Sequence, residues 1–312
     1  MRILTDRLIY WIVLAGVSGF LFPGPAATGG FLVPWLLFTM MLGLGLTLTL
    51  DDFRGAIRWR EAAAALGVQL VAVPGTALVL RLALPPGPLS DGILVLGLVP
   101  AEITSALMVG LAGGDVALST MLLVLSMVVS LLVIPLAAGA QAAGPLSIEL
   151  LLSVLLPLGI GVLVRARYFR PNPDACQALS AASVVGLVFI ACAPLGAVDA
   201  ASLVALAGLA LVTVATGFGW GTLAARLSGA SGRRLVSLAF FGGMREFGVA
   251  AAVALSTYPA GAALPAAVYG PVMMLVAGAV ASRLRGRHFE SATETRPTSL
   301  VRRGQKWTAR ME

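Results

Sequence analysis

The chain has 312 residues, 59% of them hydrophobic and only 11% charged, with a mean hydropathy of +0.97. Soluble domains carry roughly 25% charged residues, so the composition excludes a soluble globular protein and points to an all-α polytopic membrane protein. The net charge of +7 rests on 20 Arg and one Lys, set in short clusters between apolar runs. That is a pattern of topology signals, not a phosphate-binding face, and no nucleic-acid partner is expected.

Ten apolar runs follow in order, at about 8–22, 31–50, 62–82, 92–111, 116–138, 148–164, 179–197, 202–223, 235–256 and 262–281. A crossing needs about 20 apolar residues, so ten transmembrane helices are expected. Arginines follow runs two (Arg54, Arg58, Arg60), six (Arg165, Arg167, Arg170), eight (Arg226, Arg233, Arg234) and ten (Arg283, Arg285, Arg287). The loops after runs one, three, five, seven and nine hold neither Lys nor Arg. The positive-inside bias then puts both termini in the cytoplasm. Arg81 lies at the outer end of run three, where it can snorkel. The segment 283–312 reads as a basic, polar cytoplasmic tail. The expected membrane is a bacterial-type plasma membrane.

Ten is twice five, and five is odd, so two five-helix halves would have opposite topology. Inverted repeats of this kind recur in secondary transporters, whose sites lie where helices are broken at the midplane. Run four contains Pro100 and Glu102 and ends at Gly113-Gly114; run nine contains Gly242-Gly243, Arg245 and Glu246. Each is the fourth of its half, so broken, crossing helices 4 and 9 are expected.

A charge at mid-membrane costs roughly 2.5–3.5 kcal/mol on insertion scales. Glu102, Arg245 and Glu246 should therefore face a protein interior or a cavity. On a regular helix Arg245 and Glu246 point about 100° apart, which leads to the expectation that Arg245 reaches across to Glu102 or holds an anion. Thr104 and Ser105 follow Glu102, Ser119, Ser126 and Ser130 line run five, and Gln69 sits mid-span in run three. The candidate substrate and ion site is Gln69, Glu102, Thr104, Ser105, Ser119, Arg245 and Glu246. Asp115 is expected to cap run five and Glu149 run six. Cys176 and Cys192 read as inert thiols. There is no phosphate loop, no HExxH and no GxSxG, and the single His288 lies in the tail. No enzyme activity, catalytic residue or cofactor is expected. Oligomeric state is not legible.

The stretch Pro100-Ala-Glu-Ile-Thr-Ser-Ala-Leu-Met-Val-Gly-Leu-Ala-Gly-Gly-Asp-Val-Ala-Leu-Ser119 resembles the helix four-to-five segment of bile acid:sodium symporters. Leu46-Thr-Leu-Thr-Leu-Asp-Asp-Phe53 resembles that family's signature after helix two, and Gly243-Met244 with Gly248-Val-Ala-Ala-Ala252 its ninth helix. The resemblance implies a core domain (about 62–138 and 202–281) and a panel of helices one, two, six and seven (about 8–50 and 148–197). It implies uptake of an organic anion coupled to sodium. It makes Gln69, Ser105 and Ser119 sodium ligands. It also implies that Ala106, Phe241 and Arg245 stand where the family has an asparagine, a shared glutamate and a second glutamine. Arg245 is then a built-in cation facing Glu102 and Glu246, with coupling to protons or to none. Alternatively Glu102 or Glu246 supplies the missing carboxylate to sodium. Expected partners are a small or amphipathic organic anion and the lipid bilayer. The rivals are an arsenite-permease-like exporter, although Ala101 stands where those permeases carry cysteine, and a membrane anion receptor that does not transport.

Overall fold

The computed structural model of the chain describes residues 8–47, 58–138, 151–152, 156–168, 171–259 and 261–294. The signature at 48–53, Arg54, Glu149 and the tail from 295 lie outside them. Among the described residues the chain is helical throughout, and its one extended pairing is a single antiparallel bridge between Ala101 and Arg245.

Helix α1 (Leu8–Leu21) leads into α2 (Val33–Thr47) through a short helix, Pro23–Thr28, and a 3-10 turn, Gly29–Leu32. The Pro-Gly-Pro segment between the first two apolar runs is thus helical. Proline fits a first helical turn, where its missing N–H removes no bond. Helix α3 (Trp59–Ala83) carries a π-helical turn, Val68–Ala72, just ahead of Pro74. Pro74 cannot donate to the carbonyl four residues back, and the helix re-registers with Val73 N–H bonded to the Val68 carbonyl. Run four is split into α4a (Pro88–Leu98) and α4b (Ser105–Leu111), and α5 spans Val116–Ala138. Then come α6 (Leu156–Arg167), α7 (Pro173–Ala191) and α8 (Ala200–Leu227). Run nine is split into α9a (Arg233–Gly243) and α9b (Phe247–Thr257). The last helix, α10 (Leu264–Glu294), runs on through the first part of the segment read as a tail.

Among the described residues, four stretches are long and apolar enough to cross a bilayer by themselves: Pro23–Thr47, Trp59–Ala83, Ala200–Leu227 and Leu264–Arg285. Large apolar side chains on the outside, such as Val71 and Val79 on α3 and Val204 on α8, are between 66% and 73% exposed. Water would not tolerate such a surface, and lipid would. The chain is a multi-pass membrane protein.

Packing divides by neighbour. Helix α2 packs against α6 and α7, and α7 against α1. Helix α8 lies along α9a and also touches α10, while α4a packs against α3, α9b and α10. Glycines set the closest approaches. A methyl group on Gly242 of α9a would meet the backbone of Gly221 on α8 at 2.8 Å, and one on Gly161 of α6 would meet Gly45 of α2 at 2.8 Å. Without a hydrophobic drive in lipid, such small-residue seams are what bring membrane helices together.

Candidate functional site

The breaks in runs four and nine meet. Glu102 N–H donates to the Met244 carbonyl (3.0 Å), and Glu246 N–H to the Pro100 carbonyl (2.9 Å). Val99 and Met244 have extended backbones. Pro100 removes one helical donor on the first side. On the second, Gly243 packs its bare Cα on the Phe218 ring, where a side chain would clash. Two extended straps therefore lie antiparallel in the middle of the bundle and satisfy each other's backbone groups, which lipid-depth backbone requires.

The straps also decide where the charges point. Side chains alternate along extended chain, and residues opposite each other share a face. Arg245 shares its face with Ala101, whereas Glu102 and Glu246 lie on the other face, diagonal to one another. The two carboxyls are close enough to interact directly. The expectation that Arg245 pairs with Glu102 is therefore corrected: among the described residues Arg245 makes no ion pair. Its Nη2 instead donates to the Val99 carbonyl. The helical angle of 100° between Arg245 and Glu246 does not apply, because the helix is interrupted there.

All seven predicted site residues are buried, with exposures of 8% or less. Gln69, on the π turn of α3, donates through Nε2 to the same Val99 carbonyl (3.2 Å) and to Ser130 Oγ (2.9 Å). Glu246 caps α9b, accepting from Gly248 N–H (3.3 Å), and also accepts from Ile103 N–H across the crossing (3.4 Å). Glu102 Oε1 accepts from the Thr104 amide (3.4 Å) and hydroxyl (3.2 Å). Ser105 N–H bonds the Glu102 carbonyl (3.0 Å). Ser119 is buried on α5 and has no bond to the others. The structure thus gathers Gln69, Glu102, Thr104, Ser105, Arg245 and Glu246 around the crossing. Ser119, on α5, shares no hydrogen bond with them.

Further groups support the straps. Ser126 Oγ accepts the Ala101 N–H (3.0 Å), and Ser130 Oγ donates to the Leu98 carbonyl (3.1 Å). Tyr269 of α10 donates to the Gly243 carbonyl (3.0 Å) and accepts the Arg245 N–H (3.2 Å). Tyr269 escaped the sequence reading; its signal is a single phenol in the middle of an otherwise apolar run.

Five buried side-chain atoms among the described residues have no hydrogen-bond partner: Gln69 Oε1, Glu102 Oε2, Ser119 Oγ, and Nε and Nη1 of Arg245. Every one belongs to a predicted site residue. Buried polar groups are normally satisfied, and four of these five atoms lie on residues gathered at the crossing, so the fold leaves bonding capacity open there.

A second charged cluster sits at one end of the bundle. Arg234 Nε donates to Glu61 Oε1 (2.7 Å), its Nη2 to Glu61 Oε2, and its Nη1 to Asp115 Oδ2 (3.2 Å). Asp115 also caps α5 through Leu118 N–H (3.1 Å), as expected, and its own N–H and carbonyl bond Ser237 Oγ. This cluster ties α3, α5 and α9a together. Arg81 pairs with Asp91 at 2.9 Å instead of standing free.

Two helices broken at matching places, strapped together with charges buried at the join, define a membrane transporter. The family model of the sodium bile acid symporter family matches residues 34–206, more than half of the chain. The protein belongs to that family. It is 28% identical over 272 residues to the uncharacterized sodium-dependent transporter YocS of Bacillus subtilis, covering 83% of this chain and 84% of that one. It is 29% identical over 218 residues to the probable chloroplastic sodium/metabolite cotransporter BASS2 of rice. It is 30% identical over 196 residues to the probable chloroplastic sodium/metabolite cotransporter BASS1 of Arabidopsis thaliana. The matches span 50% and 48% of the two chloroplast proteins' own lengths.

Proposed function

We propose that the protein is a secondary transporter that carries a small organic anion across a bacterial-type plasma membrane by alternating access at the crossing of α4 and α9. The observation that carries this reading is the concentration of unpartnered buried donors and acceptors at that crossing. A structural clamp would satisfy its own groups. The reading includes ten crossings as two inverted five-helix repeats, with both termini cytoplasmic. It includes a panel of α1, α2, α6 and α7 and a core of the remaining helices. The packing of α2 and α7 on each other and on α6 and α1 favours that division.

The coupling ion in this reading is sodium, the ion named for the relatives. Phe241 cannot ligate it. Glu102 and Glu246, each one residue past the bridged pair Ala101 and Arg245, supply the carboxylate oxygens from a shifted position. On that carboxyl face Glu102 Oε2 is an oxygen with no donor on it, which suits a hard monovalent cation. Arg245 faces away from the carboxyls, so it does not compete for the ion by pairing with them.

The test is uptake of labelled pyruvate, pantoate and cholate into liposomes holding the purified protein, under a sodium gradient, a pH gradient or neither. Uptake of one of them driven by inward sodium is the expected result. Uptake driven only by the pH gradient would overturn the choice of ion. Absence of uptake under every gradient would overturn the transport reading.

A further inference from the structure

Arg245 is the only cation at the crossing among the described residues, and it is 1% exposed. A buried charge without a counter-charge is costly, and removing one partner of a buried pair is more so. Yet the guanidinium spends one nitrogen on a neutral carbonyl, Val99, and leaves Nε and Nη1 without acceptors. The groups it bonds are neutral: the Val99 carbonyl of the first strap, which Gln69 of α3 also bonds, and, through its backbone N–H, the Tyr269 hydroxyl of α10, which is already used on the Gly243 carbonyl. The two carboxyls are on the opposite strap face.

The usual seat for an anion in a broken-helix transporter is the N-terminus of a half-helix. Here that seat is taken. The first turn of α9b is capped by the protein's own Glu246, which also takes the Ile103 amide of the facing strap, while Glu102 takes the Thr104 amide. An incoming anion would meet negative oxygens at those amides. The unspent donors at the crossing are on Arg245.

We infer that Arg245 holds the carboxylate of the transported anion, through the Nε and Nη1 hydrogens that the resting protein leaves unspent. The inference rests on the transport reading above and deepens it. The substrate class becomes a carboxylate, bound on the Ala101–Arg245 face of the straps, while the coupling ion is bound on the carboxyl face. Symport of an anion with a cation then uses two sides of one pair of straps.

The experiment uses the full-length protein in detergent and in liposomes. Melting temperature is followed against pyruvate and against its neutral methyl ester, for wild type, Arg245→Gln and Arg245→Lys. A ligand that binds the folded state alone raises melting by mass action. Pyruvate is expected to stabilise wild type, and the ester is not. Arg245→Gln should weaken pyruvate binding by about 10- to 100-fold, the range for lost hydrogen bonds to a charged group. Arg245→Lys should recover part of that loss, because it keeps the charge without the planar fork. Should Arg245→Gln prove too unstable to purify, the Arg245→Lys comparison and the ester carry the test. Unchanged pyruvate affinity in Arg245→Gln, or equal stabilisation by the ester, would overturn the inference. The liposome arm separates the two readings. Pyruvate uptake by Arg245→Gln at wild-type KM would sink the inference and leave transport standing. Arg245-dependent binding without uptake by wild type would sink transport and leave the binding site standing. A wild type that neither binds nor moves pyruvate would overturn the carboxylate assignment.

Discussion

The protein contains two clusters with the same inventory, one arginine and two carboxylates, and opposite arrangements. At the end of the bundle Arg234 sits between Glu61 and Asp115 and bonds both. At the crossing Arg245 bonds neither Glu102 nor Glu246 and turns to a carbonyl. Local backbone makes the difference. Arg234 lies on the first turn of a helix, within reach of a second helix and a cap, so its long side chain can find both acids. Arg245 lies on a two-residue-period strap, which puts it and its neighbouring glutamate on opposite faces. Charges paired with each other make a clamp. Charges left without an ion pair, buried at 1% exposure or less, carry the site in our proposal.

Breaking each cluster should therefore read out differently. Glu246→Gln at the crossing should lower sodium-driven pyruvate uptake by about 100-fold, the scale of one lost charged interaction. The glutamine can still cap α9b, so melting temperature should change little. Flux in proteoliposomes set beside a melting curve checks both halves of the statement. A comparable loss of stability would mean that the crossing is a clamp after all.

Arg234→Gln should do the reverse. It leaves Glu61 buried and unpaired, at a cost of about 2 kcal/mol, between the ~0–1 of an exposed pair and the ~3–5 of a fully buried one. Denaturant-induced unfolding should show that loss, while the KM for pyruvate holds at the wild-type value. The smallest effect belongs to the strap's support. Ser126→Ala strips the Ala101 N–H of its acceptor and should cost about 1 kcal/mol. A modest fall in melting temperature, with both KM and sodium dependence intact, is the expected result.

Much of this was legible along the chain. Pro100 and Gly242-Gly243 are helix-breaking residues inside apolar runs, and their neighbours Glu102, Arg245 and Glu246 are too polar for lipid, so both breaks and their pairing could be anticipated. Asp115 after Gly113-Gly114 has the composition of a cap and is one. The direction of Arg245 was not legible, because a helical period was assumed through residues that are extended. Neither was the Glu61–Arg234 pair, whose members lie far apart in sequence and meet only once α9a packs beside α3. Tyr269 was hidden for a related reason: a tyrosine in an apolar run looks like packing until its hydroxyl is seen on the Gly243 carbonyl. Serines 126 and 130 are visible along run five, but the backbone groups they bond, the Ala101 N–H and the Leu98 carbonyl, are free only because run four is broken.

The central claim is that the carboxyls at the crossing, which no arginine among the described residues pairs, belong to the coupling ion. The most direct measurement is the melting temperature of the purified protein in sodium against potassium, at equal ionic strength, for wild type and Glu246→Gln. Stabilisation of wild type by sodium, lost in Glu246→Gln, is the result this account predicts. An equal sodium shift in both proteins, or none in wild type, would contradict it.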